Sequence, residues 1–310
     1  MQPEAMQHTA SDTDAGFQAC PPLPGCAHCG ESASRAGARR PDWGFLDGAY
    51  CISLRHRDDR ALDAARELHR VGLCARAVFY RPTKDRIAKR GCWESHRAVA
   101  AHARARGLRR VLILEDDVLF APSVSTATAD RVGAALVGLP MDWMGFYLGH
   151  WALWAYPISR HVLRCSSLCT HAYVASERLL DWLCETPFER GRSLVRSGVG
   201  GNGLDSAFAV LPGMYACFPL IAVQRFVPND HMKSTRIRIR PLRKLLLDLF
   251  VRSRVRELAM AHAMGLNEKL VLGLAPVLVP AFRAWHRSAR RRAERPLATA
   301  ASPDVAPPLR

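Results

Sequence analysis

A chain of 310 residues is long enough to bury one substantial core but too short for two full enzyme domains, so one catalytic-sized domain with an appended segment is expected. The formal net charge of +16 is unevenly placed: residues 236–295 hold 15 Lys/Arg against 4 acids, which implies an anionic partner for that segment, whether nucleic acid, an acidic bilayer surface or a phosphorylated glycolipid. Ten cysteines, and an amino terminus with neither a basic nor an apolar leader region, argue against a disulfide framework and predict a cytoplasmic protein with mostly buried thiols.

Residues 1–46 are rich in Ala, Ser, Pro and Gly with little apolar periodicity and read as a disordered tail. Within them Cys20 and Cys26-Ala27-His28-Cys29 have the spacing of half a zinc knuckle, but no second paired motif follows, which favours a plain cysteine-bearing tail. A regular alternation then begins. It comprises a strand at 49–54, a helix at 59–71 with Asp58 or Asp59 as N-cap and Gly72 after its end, a strand at 73–80, a helix at 93–106 closed by Gly107, and a strand at 111–114. This βαβαβ order predicts an α/β fold with a Rossmann-type, mostly parallel sheet flanked by helices. Further strands at 145–148, 171–175 and 215–221, and a helix at 177–184 capped by Ser176, complete a domain spanning 47–235. The loop Gly200-Gly201-Asn202-Gly203 is not a phosphate loop, because no Gly-Lys-Ser/Thr follows.

Beyond the domain, Leu242, Leu245, Leu246, Leu249, Phe250, Val255 and Leu258 recur at helical intervals among arginines, so 236–295 reads as a basic amphipathic helical extension. That pattern serves equally for docking on an anionic membrane surface or for packing against the domain. The apolar run 270–282 is broken by Pro276 and Pro280 and falls well short of the roughly 20 residues that span a bilayer. Four prolines mark 296–310 as a second disordered tail.

The chemistry concentrates at Val111-Leu112-Ile113-Leu114-Glu115-Asp116-Asp117-Val118, where four apolar residues carry three carboxylates to the end of a buried strand. Strand alternation places Glu115 and Asp117 together and turns Asp116 away. Two aligned carboxylates suit Mn²⁺ or Mg²⁺ shared with the phosphates of a nucleotide-sugar substrate, with Asp117 as direct ligand and Glu115 or Asp116 positioning the ion or its waters. The competing reading is a solvated acidic turn. Arg57 and Arg60, just past the first strand, suit nucleotide phosphates or base, or are an exposed pair at a helix start. Ser95 and His96 at the front of the second helix offer donors to the nucleotide. Asn229-Asp230-His231 is a further metal or diphosphate contact or a surface turn, and Trp151 and Trp154 are candidate sugar contacts within an aromatic cluster at 143–156.

Several segments taken in order carry a family resemblance. They are Cys51-Ile52-Ser53-Leu54 with Arg57 and Arg60, Gly91-Cys92-Trp93-Glu94-Ser95-His96, Leu114 to Val118 and Tyr147-Leu148-Gly149, with Thr170-His171-Ala172-Tyr173 and Leu204-Asp205 beyond them. Over roughly residues 48–232 the sequence resembles glycosyltransferase family 25, that of bacterial lipooligosaccharide galactosyltransferases and collagen galactosyltransferases. The resemblance implies a GT-A type fold, a UDP-sugar donor, a divalent metal held by the acidic motif and inversion at the anomeric carbon. Ile-Ser-Leu stands where the family usually has Ile-Asn-Leu. Inversion needs a base on the opposite face of the sugar, and Asp205 after the glycine-rich loop is the candidate; its alternative role is the N-cap of a helix beginning at Ser206. The resulting expectation is a metal-dependent transferase moving a hexose, galactose by the resemblance, from UDP to a saccharide acceptor of lipooligosaccharide, lipopolysaccharide or a similar glycoconjugate, with the basic extension holding it at the inner membrane face. Two other classes are a basic nucleic-acid-binding protein, disfavoured because the basic excess lies outside the α/β unit, and a catalytically idle scaffold, which the retained acidic triplet argues against.

Overall fold

The structure, a computed structural model, describes residues 14–24, 26, 41–194, 203–225, 261–276, 280 and 284. It begins with a short strand β1 (Phe17–Ala19), followed by β2 (Gly48–Ile52), α1 (Asp58–Arg70), β3 (Ala77–Tyr80), α2 (Ala88–Ala105) and β4 (Arg110–Glu115). A strand that is apolar on successive residues must be covered on both faces, and Val111 to Leu114 are all fully buried. Leu112 and Leu114 join Leu68 of α1 in one core, while Val111 and Ile113 join Val99 of α2 in the other. Helical crossovers make β2 parallel to both β3 and β4, so all three strands end on the same side of the sheet.

The chain continues through β5 (Val118–Phe120), α3 (Thr126–Val137), β6 (Gly145–Tyr147), β7 (Ala152–Ser159), β8 (Val162–Ser167), β9 (Ala172–Ser176), α4 (Glu177–Glu185), α5 (Phe188–Leu194), α6 (Leu204–Val210), β10 (Met214–Cys217) and β11 (Ala222–Gln224). Nine strands form one sheet in the order β1-β3-β2-β4-β9-β6-β10-β8-β7, and β11 pairs with β5 in a second, two-stranded sheet. The fold is α/β, and the sheet is parallel where helices alternate with strands but mixed as a whole. β9 runs antiparallel between β4 and β6, and β8 and β7 extend the far edge antiparallel. The link from β7 to β8 is only Arg160 and His161, far too short for the crossover that parallel neighbours require.

Several boundaries differ from expectation for local reasons. A 3₁₀ turn at Cys74–Arg76 takes the first part of the expected second strand. Helix α2 begins at Ala88, five residues early, because Gly91 lets its first turn approach Asp85: a Cβ there would lie 2.8 Å from the Asp85 Cβ. The N-cap of α1 is Arg57 rather than an aspartate, and Asp58 and Asp59 instead occupy the first turn, where the helix dipole favours acids. Gly72 and Gly107 do take left-handed backbone, with φ of 76° and 71°, and Ser176 caps α4 by accepting the Leu179 N–H.

The reading of 1–46 as a disordered tail fails for its described parts. β1 pairs antiparallel with β3, and Trp43 and Leu46 are buried, with the Trp43 indole donating to the Val71 carbonyl at 2.8 Å. A few isolated apolar residues cover a sheet edge without producing any periodicity in the sequence.

Residues 236–260 of the basic extension and the expected tail at 296–310 lie outside the described residues. Within the extension, 261–276 is a helix, α7. It docks on the domain through buried Met264 and Glu268, and Asn267 exchanges hydrogen bonds with the Ala152 backbone at 2.9 and 3.1 Å. Its other side exposes Leu266, Leu270 and Leu274. No helix among the described residues is long and apolar enough to cross a membrane, and no disulfide joins the described cysteines.

Docking of α7 carries a pH dependence. Burial pushes the Glu268 carboxyl up to about 7 from its usual 4.5; its Oε1 accepts the Leu220 N–H at 3.2 Å and lies 3.3 Å from Nε2 of fully buried His150. An acid whose folded pKa is raised contributes stability that is full below the unfolded value and is lost as pH rises through the folded one. Hydrogen-exchange protection of 261–276, corrected for intrinsic rate, is therefore expected to fall between pH 4.5 and 7.5 by about 3 kcal/mol, and Glu268→Gln to remove that fall. An identical pH dependence in both proteins would exclude Glu268 as its source.

Candidate active site

Because β2 and β4 run in the same direction, their carboxyl ends and the loops that follow converge, as they do wherever open α/β sheets bind ligands. A cavity of about 410 Å³ opens there, and Arg57, Arg60, Ser95, His96, Glu115, Asp116, Asp117 and Asp205 all line it. The eight side chains come from the loop after β2, from α1, α2 and α6, from the last residue of β4 and from the turn between β4 and β5.

The acidic triplet is not a continuous strand. β4 stops at Glu115, and Asp116-Asp117 form a turn into β5, so alternation ends before it can turn Asp116 away. Asp116 faces the same cavity and accepts a hydrogen bond from Nη1 of Arg60 at 3.1 Å, contrary to the expectation from strand geometry. Three carboxylates in one dry turn cannot all ionise cheaply, and each responds differently. Burial opposes ionisation of Glu115, yet His96, with Nε2 3.4 Å from Oε1, and the Thr170 hydroxyl at 2.8 Å hold it down to about 2. Burial pushes Asp116 up against the opposing charge of Arg60. Burial, followed by the charges of Glu115 and Asp116, pushes Asp117 up to about 7. The Gln224 amide donates to Oδ2 of Asp117 at 2.9 Å, while its buried Oδ1 has no hydrogen-bond partner among the described residues. A buried carboxylate oxygen without a donor, beside two further carboxylates, fits a hard, oxygen-ligated divalent cation.

The basic groups differ in availability. Arg60 spends Nη1 on Asp116, and its buried Nε and Nη2 have no partner among the described residues. Arg57 is held by both oxygens of Asp59, at 2.8 and 2.6 Å. The exposed Lys84 and Lys89 stand at the cavity's rim, so an acidic floor meets a basic mouth.

Ser95 and His96 lie two turns into α2 rather than at its front. The Ser95 hydroxyl donates to the Gly91 carbonyl at 2.6 Å and is thereby engaged with its own helix. His96 is almost fully buried, with Nδ1 2.8 Å from the Tyr173 hydroxyl and its ring stacked on Tyr173 at 5.7 Å, which aims Nε2 at Glu115. Asp205 is the second residue of α6, whose N-cap is Gly203, so the alternative of a cap before Ser206 does not hold. Its Oδ1 accepts the Ser206 N–H at 2.8 Å, and burial pushes its pKa up.

Several cavity residues were given no role from sequence. Cys92 brings its thiol together with His96 and Glu115, all three donor atoms within 4.8 Å of one another. Thr170 and His171 lie in a segment noted only as part of a family pattern; burial pushes the His171 imidazole down to about 4, which keeps it neutral. Gln224 arrives on β11, whose pairing with β5 has no signature in the sequence. Trp151 and Trp154 do not line the cavity: Trp154 is buried and stacked on Tyr156 at 5.8 Å, and Trp151 is 39% exposed elsewhere. Asn229-Asp230-His231 lies outside the described residues.

The sequence matches no protein-family model and no curated protein.

Proposed function

We propose that the chain is a GT-A-like glycosyltransferase that uses a divalent metal to move a hexose, galactose by the family resemblance, from a UDP-sugar to a saccharide acceptor of a lipooligosaccharide, lipopolysaccharide or similar glycoconjugate, with inversion. The observation that carries this reading is the pairing, in one cavity at the strand ends, of an unpartnered Asp117 Oδ1 with two unpartnered guanidinium nitrogens of Arg60. A cation needs the first, and a diphosphate already shared with that cation needs the second.

In this reading Asp117 Oδ1 and Glu115 hold the metal, and His96 and Thr170 orient Glu115 for it. Bound Mn²⁺ or Mg²⁺ supplies neutralisation of the negative charge that develops on the departing UDP. Nε and Nη2 of Arg60 donate to phosphate oxygens, and Asp116 keeps the guanidinium in place. Asp205, with Oδ1 occupied by the Ser206 N–H, takes the acceptor hydroxyl proton on Oδ2. Incubating the full chain with UDP-galactose, Mn²⁺ and a lipooligosaccharide acceptor is expected to release UDP and to stop when the metal is chelated. Absence of release across a panel of UDP-sugars would refute the activity.

Peripheral attachment to the inner membrane face is part of the proposal, supported by the exposed Leu266, Leu270 and Leu274 at four-residue spacing on α7, next to the most basic part of the chain. Flotation with phosphatidylglycerol vesicles is expected to recover the chain, and Leu266→Glu with Leu270→Glu to reduce recovery at least tenfold, given about 2 kcal/mol per buried leucine. Unchanged recovery would remove α7 from the membrane contact.

A further inference from the structure

We propose that Cys26, His69 and Cys74 form a structural zinc site, separate from the acidic cavity, that ties the N-terminal segment to the domain. The three residues come from the segment after β1, from the last turn of α1 and from the 3₁₀ turn that precedes β3, and their donor atoms all lie within 4.8 Å of one another. The two sulfurs are 3.9 Å apart, which matches the ~3.8 Å edge of a tetrahedron built on Zn–S bonds of about 2.3 Å. Nδ1 of His69 is 2.7 Å from the Cys26 sulfur; a shared zinc would widen this to about 3.6 Å, a small outward movement of a half-buried side chain at the protein surface.

The histidine is set up for the role. Its Nε2 lies 2.9 Å from the Pro21 carbonyl oxygen, so Nε2–H donates there and the lone pair of Nδ1 faces the thiols. A backbone carbonyl that fixes the tautomer in this way is the usual second partner of a zinc-bound imidazole. Cys20, 3.9 Å from Nε2, stands on the opposite edge of the ring and is not one of the three. His69 and Cys74 are both buried, and two thiolates with an imidazole are a soft set that selects zinc, whereas the carboxylates of the cavity select hard cations. In sequence, His28 and Cys29 follow Cys26 with the C-x-x-C spacing of zinc-binding loops; they lie outside the described residues, and the site rests on the other three. The location also gives the site a purpose. β1 is a three-residue edge strand, too short to anchor the N-terminal segment alone, and a metal crosslink to α1 and the 3₁₀ turn would supply the missing folding energy.

The test uses the full-length chain produced with zinc supplementation and dialysed. Elemental analysis is expected to find about one zinc per chain, retained in Asp117→Asn and falling below about 0.2 in Cys74→Ser. Exchange into Co²⁺ is expected to give thiolate-to-cobalt charge-transfer absorption with tetrahedral d–d bands in the wild-type protein, which needs no variant to fold. That absorption should persist in Cys92→Ser and disappear in Cys26→Ser. Wild-type protein with no stoichiometric zinc and no such absorption, or absorption that depends on Cys92 instead of Cys26, would overturn the assignment.

Discussion

Asp117→Asn is expected to lower UDP release by about 10³-fold or more while making the chain more stable above neutral pH. The activity loss follows from the unpartnered Oδ1: an amide keeps the shape and the contact with Gln224 but withdraws the charge that holds a divalent ion. The stability gain follows from the same burial. Because Asp117 is pushed up to about 7 from 3.8, its native-state contribution is full below about 3.8 and is lost as pH rises through about 7. Asparagine does not titrate, so the variant should melt close to the wild type near pH 4 and outlast it at pH 8.5 by about 4 kcal/mol, on the order of 8–16 °C. Saturating Mn²⁺ should raise the wild-type melting temperature and leave the variant's unchanged, since only the wild type binds the ion in its folded state. Wild-type turnover in the variant, or a variant less stable than wild type at pH 8.5 without metal, would contradict the assignment of Asp117.

Gly149→Ala is expected to be strongly destabilising. A Cβ at this position, just past β6, would clash with the Ala222 carbonyl and stand 2.5 Å from Nε2 of His171. Neither neighbour can give way easily. Leu148 accepts the Ile221 and Ala222 N–H groups at 2.9 and 3.0 Å, and His171 is almost fully buried beside Thr170, which holds Glu115. Overpacking of this kind costs about 3 kcal/mol, corresponding to a fall in melting temperature of roughly 6–12 °C. Because β11 carries Gln224 to Asp117, metal-dependent UDP release should fall with it, even at temperatures where the variant remains folded. A variant that melts within 2 °C of wild type, to use roughly the thermal resolution of one small surface substitution, would show that β11 moves aside freely.

Features that depend on neighbours in sequence were legible from it. The run from Val111 to Leu114 identified a doubly covered strand, and the carboxylates behind it lie at the cavity. Gly72 and Gly107 marked helix ends because only a residue without Cβ takes positive φ cheaply. Features that depend on where an element begins or bends were read less well. Gly91 disguised the start of α2, which moved Ser95 and His96 from a helix front into its body, and a turn at Asp116 redirected a side chain that alternation had assigned outward.

What the sequence determined by itself is therefore the α/β alternation and the collection of charged and polar groups behind the strand ends, because hydrophobic period and glycine conformation act over a few residues. What only the tertiary structure decided is which distant groups meet. It set β9 antiparallel between β4 and β6, brought Gln224 to Asp117, and gathered Cys26, His69 and Cys74 around one point. Such meetings follow from burying both faces of one sheet and the edge beneath β1, a condition on the whole chain that leaves no periodic trace in any one segment.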